Sequence, residues 1–259
     1  MSAEPSARID LNADVGESFG AWRLGEDEDL IPLVSSVNVA CGFHAGDPLT
    51  MERTVRLAVA AGVAVGAHPG FPDLAGFGRR ELTMPRAELE AAILYQVGAI
   101  AAFARDAGVE VRHVKPHGAL YNLAARDPGT AEAVAAAVRR FSREVVLVGL
   151  AGSVMLEAGR AAGLAVAAEG FADRAYEPDG RLRSRRMPGA LLDDPGLVGA
   201  QARRLATERS VIAIDGTVVR VDADTICVHG DAPGAADRAR AARAALGQAG
   251  IEIRALSAG

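Results

Sequence analysis

Aromatic residues are scarce in this chain of 259 residues: they make up 4% of it, with one tryptophan and three tyrosines. Its core must therefore be built from small and branched aliphatic side chains, which dominate the 50% hydrophobic content. Cysteine is nearly missing. The two present, Cys41 and Cys227, sit inside apolar strand-like runs, where a free thiol behaves as a small buried hydrophobe. That excludes a disulfide framework and disfavours Cys41 as a nucleophile. Positive charge is not in excess. A net charge of -5 argues against nucleic acid as the main partner. No apolar run reaches the roughly 18 residues of a membrane span, so no membrane partner is expected. The opening MSAEPSARIDL lacks the basic-then-apolar layout of a secretory signal, so the cytoplasm is the expected compartment. No G-x-x-x-x-G-K-[ST] phosphate loop and no G-x-S-x-G nucleophile elbow occur, which removes a conventional nucleotide loop and one large hydrolase class. Linkers, low-complexity tracts and repeats are also missing, so residues 1–259 are expected to form one domain.

What is present is a series of short strand-like segments that end in reactive side chains. They are IDLNADVGE (9–17), SVNVACGFHAGD (36–47), VAVGAHPG (63–70), VRHVKPHGALYN (111–122) and TICVHGD (225–231), with AVAAEGFAD (165–173) fitting less tightly. Between them, Ala-rich patterns of 3.6-residue period predict helices at 49–61, 86–107, 130–140, 153–162, 195–208 and 234–249. Gly62, Gly108, Gly163 and Gly250 follow four of these helices, where a left-handed cap favours glycine. The alternation implies a parallel sheet with right-handed crossovers. Val211 to Val221, with its Asp215-Gly216 turn, departs from the cadence and reads as a hairpin. Asp179 to Gly189 reads as a long Arg-rich loop.

Period-two alternation separates a barrel from an open sheet. Asp10, Asn12 and Asp14 share one strand face; His113, Lys115 and His117 share another; Cys227, His229 and Asp231 share a third. Strands of a doubly wound sheet would be apolar on both faces. Here the second face is small or polar, which fits an irregular (β/α) barrel of about seven or eight strands with a functional lumen and a site at the C-terminal strand ends.

Asp10, Asn12, Asp14 and Glu17 bring three carboxylates together, so a cation or a raised pKa is expected among them. The plain alternative is turn capping. Asp14, His44 and His68, from three neighbouring strands, form a candidate divalent-metal set; His44 and His68 as acid–base groups are an equal alternative. Asp47, followed by Pro48, reads as a helix cap. Lys115 and His117 flank Pro116. A lysine aimed into a barrel needs an anion, either a ligand or Asp10 or Asp14 as an ion-pair partner. Tyr121 and Asn122 follow, on what reads as a loop. Arg79, Arg80, Arg174, Arg183, Arg185 and Arg186, near Glu169, Asp173 and Tyr176, suit carboxylate or phosphate recognition, although such runs are usually solvated surface.

DLNADVGESFG, NVACGFHAGD, GAHPGFPD with GFGRR, VKPHGALYN, EGFADRAY and VHGD closely resemble the LamB/YcsF family, in order, from Ile9 to Leu256. The resemblance implies an irregular β/α barrel related to the glycoside hydrolase/deacetylase type. It also implies the A component of a bacterial 5-oxoprolinase. That enzyme hydrolyses 5-oxo-L-proline to L-glutamate with ATP as co-substrate, Mg²⁺ accompanying the ATP, and subunits B and C as partners. Such a site needs a base, a cation near the developing oxyanion or phosphate, and an anchor for the substrate carboxylate. In that order the candidates are Asp10 or Asp14, Lys115 with His117, and the arginines, with Asn12, Arg79, Tyr121, Asn122, Glu169, Arg174 and His229 as substrate contacts. The other readings are a metal-dependent deacetylase without ATP, built on Asp14, His44 and His68, and a protein that only binds a lactam or carbohydrate. Homo-oligomer formation is left open.

Overall fold

Alternation along the strands becomes an inside and an outside. In the computed structural model, which describes residues 8–257, β1 (Arg8–Val15) runs parallel to β2 (Ser36–Ala40). Met1 to Ala7, part of the segment read above for a signal, lie outside the described residues. A short helix α1 (Asp27–Leu30) intervenes between β1 and β2. Then follow α2 (Pro48–Ala60), β3 (Ala64–His68), α3 (Arg86–Asp106), β4 (His113–Val114), α4 (Gly118–Ala124), α5 (Pro128–Phe141), β5 (Val146–Leu150), α6 (Val154–Ala161) and β6 (Ala165–Phe171). The chain continues through α7 (Pro195–Glu208), the antiparallel hairpin β7 (Ser210–Ile212) and β8 (Val218–Arg220), β9 (Thr225–His229), α8 (Ala235–Gln248) and β10 (Glu252–Ile253).

Among the described residues, seven parallel strands close in the order β1-β2-β3-β4-β5-β6-β9, with β9 pairing back to β1. β10 adds to the start of β1. Outward-facing Leu11, Ala13, Val37, Val39, Val65, Val114, Leu147, Ile226 and Val228 are fully or nearly fully buried beneath the helices. The α/β barrel expected from alternation is therefore the fold. Three of its helices start on Asp-Pro: Asp47, Asp127 and Asp194 each accept backbone N–H bonds at the first turn, and proline at the first helical position has no N–H to leave unpaired. For Asp47 these bonds, led by the Thr50 hydroxyl, hold the carboxyl at about 2.

Three features differ from expectation. β5 was not among the anticipated strands. It puts Val146 and Val148 beside Ala167 in a small apolar cluster and brings no reactive side chain. Tyr121 and Asn122 lie on helix α4, not on a loop. By length and composition α3 is apolar enough to cross a membrane, which a reading of uninterrupted apolar runs does not register because Glu88 and Glu90 break the segment. Here its Leu89, Ile93, Val97, Ile100 and Ala104 are buried in the fold.

One glycine sets the lumen geometry. A Cβ on Gly66 would lie 2.1 Å from Nε2 of His113, and that ring donates to Oδ1 of Asn38 at 2.7 Å. Gly66→Ala should therefore force the imidazole aside and cost about 1–3 kcal/mol. Chemical denaturation should show a lower midpoint with an unchanged slope. A wild-type midpoint would show that the ring has room to move.

Candidate active site at the barrel mouth

Inside the barrel the polar side chains lie in tiers set by register. The lowest tier is Asp10, opposite Thr225 on β9. It accepts from Thr225 Oγ1 at 2.5 Å, from Ser35 Oγ at 2.7 Å and from Ser36 Oγ at 2.9 Å. Burial pushes its carboxyl up despite these donors. Four residues of strand, about 13 Å, separate it from Asp14. Asp10 thus sits at the closed end, away from the histidines, and the grouping of Asp10 with Asp14 in one pocket is corrected.

The middle tier is a network around a lysine. Nζ of Lys115, 2% exposed, lies 2.9 Å from both Asp14 Oδ1 and Glu169 Oε1, and 3.1 Å from Sγ of Cys227. The ion-pair partners of Lys115 are therefore Asp14 and Glu169, not Asp10. Asn12 donates to Glu169 Oε1 (3.0 Å) and to Thr225 Oγ1 (2.7 Å). Asn38 donates to Asn12 Oδ1 (2.7 Å) and to Asp14 Oδ1 (2.8 Å). Tyr121 donates to Glu169 Oε2 at 2.8 Å. Burial alone would neutralise these charges. Instead, His68 and Lys115 hold Asp14 well below the usual carboxylate range, and Asp14, Cys227 and Glu169 hold the lysine well above its ordinary value. Glu169, Asn12 and Tyr121, read from sequence as substrate contacts, are spent on one another and on Lys115.

The upper tier opens at the C-terminal strand ends. His68 ends β3, with Nε2 3.4 Å from Asp14 Oδ2. His229 ends β9, and its Nδ1 is 2.9 Å from Asp173 Oδ1, beyond β6. A carboxylate only accepts, so Nδ1 carries the proton and Nε2 faces Asp14 Oδ2 at 4.0 Å. The His229 side chain is 13% exposed and stacks on Phe171. Beyond β2, His44 stacks flat on His117 with centroids 3.7 Å apart. Glu17, in the loop after β1, faces both rings at 3.7 and 3.6 Å. Burial, then Asp231 and Asp14, push the Glu17 carboxyl well above its usual range. Burial, with neighbouring imidazoles, pushes His44 and His117 well below theirs.

Arginines ring the mouth. Arg79 and Arg185 both engage Asp231. With His229 they hold its carboxyl at about 2 although burial opposes this. Arg174 instead turns its guanidinium to the carbonyls of Ala190 and Arg183, and burial with the nearby Arg185 lowers it to about 10. It is a loop fastener and not a free anchor. Asn122 is also removed from the mouth: its amide donates to the Gly118 carbonyl on the exposed side of α4.

The expected metal set of Asp14, His44 and His68 is regrouped. Donor atoms of Glu17, His44, His68 and His117 lie within 4.8 Å of one another, and Asp14 falls into a second group with Cys227 and His229. Glu17 stands out in the sequence as one of three crowded carboxylates, and its carboxyl is indeed raised; Asp173 stands out only as a neighbour of the arginines, and the sequence gives neither residue a place at the mouth. Both lie just past a strand end, where alternation no longer reports direction. Cys41 does behave as a filler: its sulfur accepts from the His68 N–H at 3.2 Å, and burial pushes the thiol up.

Comparison with known proteins adds identity to this geometry. The LamB/YcsF family profile matches residues 9–259. A Chloroflexus aggregans protein, named as the A component of 5-oxoprolinase, is 61% identical over 246 residues, covering 95% of this chain and 98% of that one. The crystal structure of the lactam utilization protein from Thermus thermophilus superposes with a TM-score of 0.91 at 52% identity, covering 96% of this chain and 100% of the other. A T48 deacetylase, 14% identical, superposes at 0.50 over 96% of this chain and 87% of its own, a likeness of fold alone.

The Lys115 network makes a measurable prediction. Lys115→Met leaves Asp14 and Glu169 as buried carboxylates without their cation, and should cost about 3–5 kcal/mol. Adding Glu169→Gln should restore part of that loss, with a coupling of at least about 1 kcal/mol in a denaturation double-mutant cycle. Additive losses would mean that the two charges do not depend on each other.

Proposed function

The chain belongs to the LamB/YcsF family, and from that premise we propose that it is the A component of an ATP-dependent 5-oxoprolinase. In this reading residues 1–259 act as one barrel domain in the cytoplasm and open the lactam of 5-oxo-L-proline to L-glutamate, with cleavage of ATP to ADP and phosphate. The observation that carries the reading is identity of 61%, along nearly the whole chain, to a relative of that name. The mouth geometry supports it.

A five-membered lactam is an unreactive amide. Transfer of the ATP γ-phosphoryl group to the amide oxygen gives a more electrophilic ring carbon. One water adds to that carbon. Its proton passes to Nε2 of His229, whose Nδ1–H is held by Asp173. Collapse breaks the ring C–N bond, with the proton returned to nitrogen, and leaves a carboxyl phosphate. A second water hydrolyses the carboxyl phosphate to glutamate and phosphate. Asp14, kept ionised by Lys115, stabilises the imidazolium that forms at His229. Arg79 and Arg185 offer positive charge at the rim for a carboxylate or phosphate. The chain lacks the glycine framework that aims successive N–H groups at a triphosphate, so Mg²⁺–ATP is handled together with subunits B and C.

The clustering of three imidazoles with Glu17 favours a second reading, metal-assisted amide hydrolysis without ATP. Reconstitution separates the two. The purified chain alone should release little or no glutamate from 5-oxoproline. With subunits B and C and ATP, glutamate and phosphate should appear together, and Asp14→Asn should lower turnover by about 10²-fold or more with an unchanged circular dichroism spectrum. Robust hydrolysis by the chain alone would reject partner dependence. Deacetylation of N-acetylated sugars without ATP would favour the second reading.

A further inference from the structure

We propose that Glu17, His44, His68 and His117 form a binding site for one divalent cation of the zinc class. This goes beyond the proposed activity and stands whether or not the chain opens a lactam. Backbone carbonyls fix the ring protons. Nδ1 of His68 lies 2.7 Å from the carbonyl oxygen of Lys115, and Nε2 of His117 lies 2.9 Å from that of Phe77. A carbonyl oxygen only accepts, so both of these nitrogens carry the ring proton. The opposite nitrogens, Nε2 of His68 and Nδ1 of His117, then present bare lone pairs to each other at 3.0 Å. Neither can donate. Imidazoles anchored by an outer N–H to a backbone carbonyl, with the inner lone pair free, are arranged as metal ligands are.

His44 completes the set. It is fully buried, and neither ring nitrogen has a hydrogen-bond partner among the described residues. Its Nε2 is 3.7 Å from Glu17 Oε1, which is in turn 3.6 Å from His117 Nδ1. A second proton on His68 would give Nε2 a donor for Asp14 Oδ2, 3.4 Å away, as well as for His117, and would still leave His44 without a partner. A cation would take up the inner lone pairs of all three rings at once and leave only the second nitrogen of His44 without a partner. Bonds of about 2.0–2.1 Å in a tetrahedron place ligand atoms about 3.3 Å apart. Three of the six separations, 3.0, 3.6 and 3.7 Å, bracket that figure, and the others lie within 4.8 Å. Glycine makes room for the stacked rings: a Cβ on Gly78 would lie 2.8 Å from both His44 and His117, and one on Gly70 would lie 2.8 Å from His44 Nδ1. Three imidazoles and one carboxylate suit Zn²⁺ or Co²⁺; Mg²⁺ and Ca²⁺ take oxygen-rich sets.

The test uses the full chain, stripped with a chelator and titrated with Co²⁺ and with Zn²⁺. One equivalent should bind. The Co²⁺ form should show the visible bands of a low-coordinate nitrogen–oxygen site, without a thiolate charge-transfer band. His44→Gln and Glu17→Gln should each weaken binding by about 100-fold or more, and Cys227→Ser should leave it within about threefold. If the substituted chains fail to fold, the wild-type spectrum still decides. A thiolate band places the ion at Asp14, Cys227 and His229 and overturns the proposal. Failure of the stripped wild-type chain to take up either ion also overturns it, as does full affinity in His44→Gln.

Discussion

The ammonium group of Lys115 inside the barrel is the constraint around which the other polar groups are arranged. A cation at 2% exposure is tolerated only with anions at contact distance, and Asp14 and Glu169 supply them from β1 and β6. Those carboxylates need donors for their remaining lone pairs, which explains Asn12, Asn38 and Tyr121. Asn38 in turn needs the donor His113, and His113 needs the bare backbone of Gly66. A chain of requirements thus links five strands and α4 through buried groups. Its effect at the mouth is to keep Asp14 ionised beside His68 and His229.

Much of this was legible in the sequence. Alternation in 9–17, 111–117 and 225–231 placed the right residues on the inner face, since a period of two is a property of the strand itself. Depth was not legible. Asp10 and Asp14 share a face, and only register separates them: one lies opposite Thr225, the other opposite His229. β5 escaped because Val146 to Leu150 carries no side chain that a search for chemistry would notice. Helix α4 was hidden by Pro116 and Gly118, which signal a turn locally. Glu17 and Asp173 lie in loops, where direction comes from long-range packing.

The two sides of the mouth have opposite electrostatic character. Around His229 the charges are paired, and the two arginines reach solvent in part: Asp173, Asp231, Arg79 and Arg185 are all engaged. Around His44 the groups are buried and pushed towards neutrality. The first side suits a group that must gain and lose a proton. The second side, dry and rich in lone pairs, suits a fixed charge that does not titrate.

Closure of the ring has a consequence for synthesis. β1 is made first, yet its partner β9 follows only much later in the chain, and the Asp10–Thr225 bond spans 215 positions. At about 5–20 residues per second, β1 exposes an unpaired edge for about 10–40 s on the ribosome. Throughout that interval Asp10 lacks Thr225, and from its own synthesis Lys115 waits 112 positions for Cys227, so the lumen is assembled late. Such non-local closure slows folding and leaves the nascent β1 edge open to pairing with another strand until β9 arrives.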